Sequence, residues 1–221
     1  MDEVDKDLLP KVHNPNKDLH GFDLPARDII IAPSGSGKTN FIVCLIKLFC
    51  QRRGTFSDIT IVTANADETL YNQLKRDCKD ISIVEGIHKL PPLDKFDKKE
   101  QHLVIVDDLV LENQTGVANY FVRCRKQNVS IFFISQSYFD INKLIRKNAT
   151  DAIFMDIGTN RDLSGILSEY SLGVDLDVMK NMYHYVKEDE FVPFIITRGG
   201  DHGKTKFRKG LDEVLNPEEF E

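Results

Sequence analysis

Cysteine is scarce, and none of it is paired in spacing. Cys44, Cys50, Cys78 and Cys124 form no Cys-x-x-Cys and sit in mixed apolar and polar surroundings, so a reducing, intracellular compartment is expected. No apolar run approaches the length of a membrane span, and Met1 to Lys17 lacks the apolar core of a signal peptide. These two absences point to a soluble protein. An excess of positive charge is missing too: 29 Lys and Arg stand against 35 Asp and Glu, a net charge of -6. A nucleic-acid role therefore cannot rest on overall electrostatics and would need a local basic surface. What remains, 221 residues of which 41% are hydrophobic, suffices for one globular domain with a sizeable core.

The most informative stretch runs from Asp28 to Val43. A β-branched run, Ile29-Ile30-Ile31, leads into Ala32-Pro33-Ser34-Gly35-Ser36-Gly37-Lys38-Thr39, and then Phe41, Ile42, Leu45, Ile46, Leu48 and Phe49 recur at helical spacing. Strand, glycine loop and helix in this order form a phosphate cradle. Backbone N–H groups of a tight loop and the positive end of the helix dipole both favour the anion. Residues Pro33, Ser34, Gly35, Ser36, Gly37, Lys38, Thr39 and Asn40 are the expected ATP contacts. Lys38 reaches the β- and γ-phosphates, and the Thr39 hydroxyl ligates Mg²⁺. Ala32 replaces the first glycine of GxxxxGK[ST], which is tolerable where its φ is negative.

Downstream, strand and helix patterns alternate. Ile59 to Ala64 and Ile81 to Val84 read as strands, with a helix over Glu68 to Lys79 between them. The alternation predicts an α/β fold, a mainly parallel sheet with helices on both faces. Leu103-Val104-Ile105-Val106-Asp107-Asp108 is an apolar strand ending in two acids, with Asp107 expected on the metal and Asp108 as general base. Another strand, Ile131 to Ser135, delivers Gln136, which would lie near the γ-phosphate. A helix over Asn113 to Gln127 ends in Arg123, Arg125 and Lys126. Either arginine could be supplied to a neighbouring subunit's γ-phosphate, or both could simply complement the helix dipole.

The ends differ from the middle. Residues 1–27 carry Pro10, Pro15 and Pro25 and weak periodicity, so they read as an arm that packs on a neighbouring subunit or stays a loose tail. Residues 28–210 form the ATPase domain. Within it, Phe191 to Thr197 reads as an edge strand because Pro193 cannot donate to a ladder, and residues 198–210 read as a basic loop. Lys204, Lys206, Arg208 and Lys209 in that loop are candidate DNA phosphate contacts, with residues 87–101 as an alternative grip. An acidic tail, 211–221, closes the chain and could lie on a neighbour's basic surface.

Taken with Arg123-Cys124-Arg125-Lys126, Ser135-Gln136-Ser137-Tyr138-Phe139 and Ile145-Arg146-Lys147-Asn148, these motifs resemble the genome-packaging ATPases of large eukaryotic DNA viruses. These form the poxvirus-type branch of the FtsK–HerA superfamily, with relatives in virophages and Polinton or Maverick elements. The resemblance covers about residues 27–200. It implies a P-loop NTPase of the additional-strand catalytic-acid type, with the Ile131 strand between the Asp107 strand and the phosphate-loop strand. It also implies a homo-oligomeric, usually hexameric, ring that uses ATP and Mg²⁺ to pump double-stranded DNA through a portal vertex into a viral capsid. Such an enzyme would work in the host-cell cytoplasm or viral factory, or with the virion. Its catalytic acid here would be Asp108, where the family has Glu; its arginine finger falls on Arg123 or Arg125, and its sensor on Gln136.

Two other classes compete. A small-molecule or nucleoside kinase shares the phosphate loop but activates its acceptor by other means than the Asp107-Asp108 pair. A GTPase-type switch needs Asn-Lys-x-Asp to read guanine, whereas Asn142-Lys143 is followed by Leu144-Ile145.

Overall fold

The computed structural model describes residues 12–171, 173–198 and 207–221. Its elements run α1 (Lys17–His20), β1 (Arg27–Ile31), α2 (Lys38–Phe49), β2 (Asp58–Thr63), α3 (Thr69–Asp77), β3 (Ile81–Glu85), β4 (His102–Asp107) and α4 (Thr115–Arg123). Then follow β5 (Val129–Ser135), α5 (Lys143–Asn148), β6 (Asp151–Phe154), α6 (Asn160–Glu169), α7 (Leu176–Lys187), β7 (Phe194–Thr197), β8 (Phe207–Lys209) and β9 (Glu213–Val214).

The strands form one nine-stranded sheet in the order β3-β2-β4-β5-β1-β6-β7-β8-β9. Pairings from β3 to β6 are parallel, and those from β6 to β9 antiparallel. Strands covered on both faces must be apolar at every position, which is why β1, β4 and β5 read as unbroken runs. Successive side chains alternate faces. Ile30, Ile105, Phe132 and Ile134 meet Ile42, Leu45, Ile46 and Phe49 of α2. Ile29, Ile31, Val104, Val106 and Phe133 face the opposite layer, which contains α4, α6 and α7. The expected interposition of the Ile131 strand between those of Asp107 and the phosphate loop is borne out: β5 lies between β4 and β1.

Three expectations at the ends need correction. Pro193 precedes β7 instead of interrupting it, so Phe194–Thr197 is an interior strand paired with both β6 and β8. Residues 12–26 of the expected arm pack on the chain's own core. Asn16 Nδ2 donates to Phe49 O at 3.1 Å, Gln51 O at 3.0 Å and Thr55 Oγ1 at 3.0 Å, and Phe22 is fully buried against Phe132. The acidic tail also stays at home, with β9 on β8, Tyr185 OH donating to Glu213 at 2.9 Å and Asn181 Nδ2 donating to Phe220 O at 3.0 Å.

The candidate DNA contacts divide. Lys204 and Lys206 lie outside the described residues. Arg208, only 4% exposed, contradicts the expectation: its Nη1 donates to His20 O and Leu211 O, both at 3.2 Å, and its Nη2 lies 4.0 Å from Asp151. Lys209 is engaged as well, 2.7 Å from Asp189 with its ammonium over the Tyr185 ring. The chemistry of Arg208 is that of a buried counterion. Asp28 and Asp151 are register partners on β1 and β6, and both are buried. Thr150 Oγ1 donates to Asp28 at 3.0 Å and Thr197 Oγ1 to Asp151 at 2.6 Å. Burial, and then the like charge of Asp151, holds Asp28 well above the ordinary 3.8, so burial favours its protonated form.

Removing Arg208 leaves buried carboxyls without their cation. Arg208→Met is expected to destabilise the domain by about 3 kcal/mol or more, read from urea denaturation; an unchanged midpoint would mark it as a surface cation. The folded state holds the Asp28 proton more tightly than the unfolded chain does. This contribution to stability is therefore full below the ordinary 3.8 and declines as pH rises through the elevated folded value. Asp28→Asn should flatten that decline when urea midpoints are compared between about pH 4.5 and about pH 8, and an unaltered slope would refute the assignment.

Candidate nucleotide site

β1 ends in mid-sheet, and the chain turns through Ala32–Gly37 before α2 begins at Lys38. Gly35 and Gly37 sit at φ 81° and 82°, a region closed to most side chains, which explains both glycines. Ala32 is not among the residues with positive φ, so its methyl costs nothing there. Its N–H donates to Ser135 O at 2.9 Å, fastening the loop to the end of β5. The loop and first turn of α2 bound a cavity of about 520 Å³, lined by Pro33, Ser34, Gly35, Lys38, Thr39 and Gln136 among others. Asn40 also lines it. Ser36 Oγ is buried and has no hydrogen-bond partner among the described residues.

β4 brings the acids to the same edge. Asp107 is 2% exposed and holds two partners: Lys38 Nζ at 3.0 Å on one oxygen, and the donating Tyr71 hydroxyl at 2.5 Å on the other. Burial and the charge of Asp107 push the Tyr71 phenol far up, so Tyr71 stays a donor. Asp108 sits at φ 57°, an uncommon conformation for a side chain with a Cβ that turns the chain sharply after the strand. Its carboxylate accepts from Gln136 Nε2 at 3.1 and 3.0 Å. The residues expected at Lys38, Thr39, Asp107, Asp108 and Gln136 are thus gathered along the carboxyl ends of β1, β4 and β5, where open α/β sheets bind ligands.

Glu68 and Tyr71 escape the sequence reading. Thr39 Oγ1 donates to Glu68 Oε1 at 3.1 Å, which puts a third carboxylate beside the expected metal ligand. Glu68 lies just beyond β2, the neighbour of β4. The rule that sites collect at strand carboxyl ends could have found it, but Tyr71 left no signal beyond a helical apolar position.

The arginines are elsewhere. Arg123 and Arg125 are exposed at the far end of α4 and in the following turn, which runs into the start of β5. That places them at the amino end of the parallel strands, opposite the chain's own phosphate loop. Arg146 also has an internal role: it pairs with Glu169 at 2.7 Å and lies over the Tyr138 ring.

A sequence model of the family described as Poxvirus A32 protein matches residues 22–196. No curated protein matches the sequence. Among solved structures, the chain is similar to the genome packaging NTPase B204 from Sulfolobus turreted icosahedral virus 2 in complex with AMPPCP. The identity is 13%, with 79% of this chain and 93% of that one covered, at a TM-score of 0.55. It is also similar to EssC, ATPases 2 and 3, from Geobacillus thermodenitrificans (12% identity, 87% and 40% covered, TM-score 0.51) and to the cytoplasmic domain of the Thermomonospora curvata Type VII secretion ATPase EccC (9%, 86% and 26%, 0.55). At such identities these likenesses establish a common fold, a mainly parallel sheet flanked by helices.

Among the described residues, the Tyr71 hydroxyl is the one neutral donor on the buried Asp107. Tyr71→Phe should cost about 1.5 kcal/mol or more, the range for a hydrogen bond to a charged acceptor, with the fold retained. A melting curve superimposable on the parent would show that the bond contributes nothing.

Proposed function

Because the chain belongs to the Poxvirus A32 protein family, we propose that it is an ATPase that drives double-stranded DNA into a viral capsid. The observation that carries this reading is that Lys38 and Gln136 line one 520 Å³ cavity and hold Asp107 and Asp108, respectively, by hydrogen bonds. Phosphates of ATP fit the loop N–H groups, with Lys38 turning from Asp107 toward them. Oxygen donors alone, Thr39 Oγ1 and Asp107 with Glu68 beside them, suit a hard divalent ion such as Mg²⁺. When bound, that ion neutralises phosphate charge.

Asp108 then orients and polarises the attacking water, and Gln136 tunes it. Both Asp108 oxygens accept from the Gln136 amide, so a phosphate oxygen that competes for that amide frees the carboxylate for water. Hydrolysis thereby depends on a filled site. Arg123 and Arg125 cannot serve their own chain from the opposite edge of the sheet. A ring, hexameric by family analogy, lets one subunit's arginine meet the next subunit's γ-phosphate.

DNA is gripped through its phosphates without base reading. With Arg208 and Lys209 engaged internally, the exposed cations open to this role include Lys89, Lys95, Lys98 and Lys99 on residues 87–101. No helix among the described residues is long and apolar enough to cross a membrane. We place the work in the host cytoplasm or viral factory. The kinase considered on sequence grounds has no counterpart in the matched family or the neighbours named above.

The test is ATP hydrolysis by the purified protein with and without long double-stranded DNA. DNA should stimulate turnover, and Lys38→Ala or Asp108→Asn should abolish it. Loss of the trans arginine should cost on the order of 10³-fold, with partial recovery on mixing that variant with Lys38→Ala subunits. Turnover that needs a nucleoside acceptor instead of DNA would overturn the reading.

A further inference from the structure

Phe191 is unusual in three independent respects. Its backbone lies at φ 63°, a left-handed conformation that bulky side chains avoid and that marks functional positions. The residue is 61% exposed although large and apolar. That ring lies against the phosphate loop: a Cβ built on Gly37 would meet Phe191 Cδ1 at 2.9 Å. Glycine at 37 is therefore required twice, by its own φ and by the ring above it.

The ring also stands between two cavities. One is the phosphate cavity. The other, of about 500 Å³, is bounded by Gly35 and Ser36, by Met155–Ile157 beyond β6, and by Asn160, His184 and Phe191. The sheet order fixes which end of a nucleotide each receives. Asp107, Asp108 and Gln136 follow β4 and β5, on one side of β1, so the terminal phosphate points that way. The opposite end of the molecule must leave over the other neighbour of β1, which is β6, and so enters the second cavity past Phe191. The loop is held in place from beneath: Lys187 Nζ donates to Val192 O at 2.6 Å and also to Met155 O, tying the chain after Phe191 to the chain after β6.

We infer that Phe191 is the stacking platform for the nucleobase, and that the cavity bounded by Asp156, Asn160 and His184 receives the base and ribose. The inference rests on the nucleotide-hydrolase reading above and adds to it the subsite that distinguishes a nucleotide from bare polyphosphate. An exposed aromatic face stacks on any base, and a few polar groups around it set orientation.

The chain contains no tryptophan, so Phe191→Trp supplies a single emitter at the site. Its emission should change on titration with Mg-ATP and stay constant with Mg-tripolyphosphate, which fills the loop but has no base. Phe191→Ala should bind ATP about tenfold more weakly, the loss of one base–aromatic stack, with tripolyphosphate affinity unchanged. Phe191→Gly, which suits the left-handed backbone, should do the same at a melting temperature no lower than the parent's, separating the ring's role from the fold. Equal losses for ATP and tripolyphosphate, or no loss for either, would overturn the proposal while leaving the hydrolase intact. Failure of the unaltered protein to bind either probe would overturn both.

Discussion

The site depends on a single buried carboxylate. Asp107 is closed off from water, and a charge in that position must be met on every side or it is too costly to bury. Lys38 reaches it from the helix after the phosphate loop, and Tyr71 from the helix after β2. Those two contacts lock β4 against the elements that follow β1 and β2. They also leave Lys38 held in the cavity by a partner it can exchange for phosphate. The same ion pair is thus a packing element and, on the proposed reading, a reserve of positive charge for the ligand.

Much of this was legible because it is local. The β-branched run, the glycine loop and the helical spacing after it each depend on near neighbours, and the apolar strands ending in Asp107-Asp108 and Gln136 announce themselves by burial on both faces. What escaped is what distant partners decide. Arg208 reads as one cation in a basic stretch, yet Asp28 and Asp151, far away in sequence, draw it into the interior. The tail reads as an acidic segment suited to a neighbour's basic surface, but Leu215 is buried and β9 pairs with β8. Pro193 reads as an edge signal, and the strand simply begins one residue later. Glu68 and Tyr71 carry no pattern of their own and acquire meaning only when β2 is found beside β4.

Charge is arranged locally for the same reason. An acidic chain that handles a polyanion has to segregate its cations, and here the segregation has two layers. Lysines 38 and 187 and Arg208 are drawn inward to carboxylates and carbonyls, while Arg123, Arg125 and the lysines of residues 87–101 stay on the surface at the periphery of the sheet. The inward set serves the fold, and on the proposed reading the outward set is left for neighbours and DNA.

The place of β1 governs when the protein can function as well as where. Its register partners on either side, Ile131 with Arg27 and Asp151 with Asp28, emerge from the ribosome more than a hundred residues after it. A newly made phosphate loop therefore has its own sequence complete before either strand that flanks β1 in the native sheet exists. Long-range closure of this kind is slow. The flanked phosphate loop thus depends on strands made well after it, and a chain cut before Asp151 lacks one of the two register partners of β1.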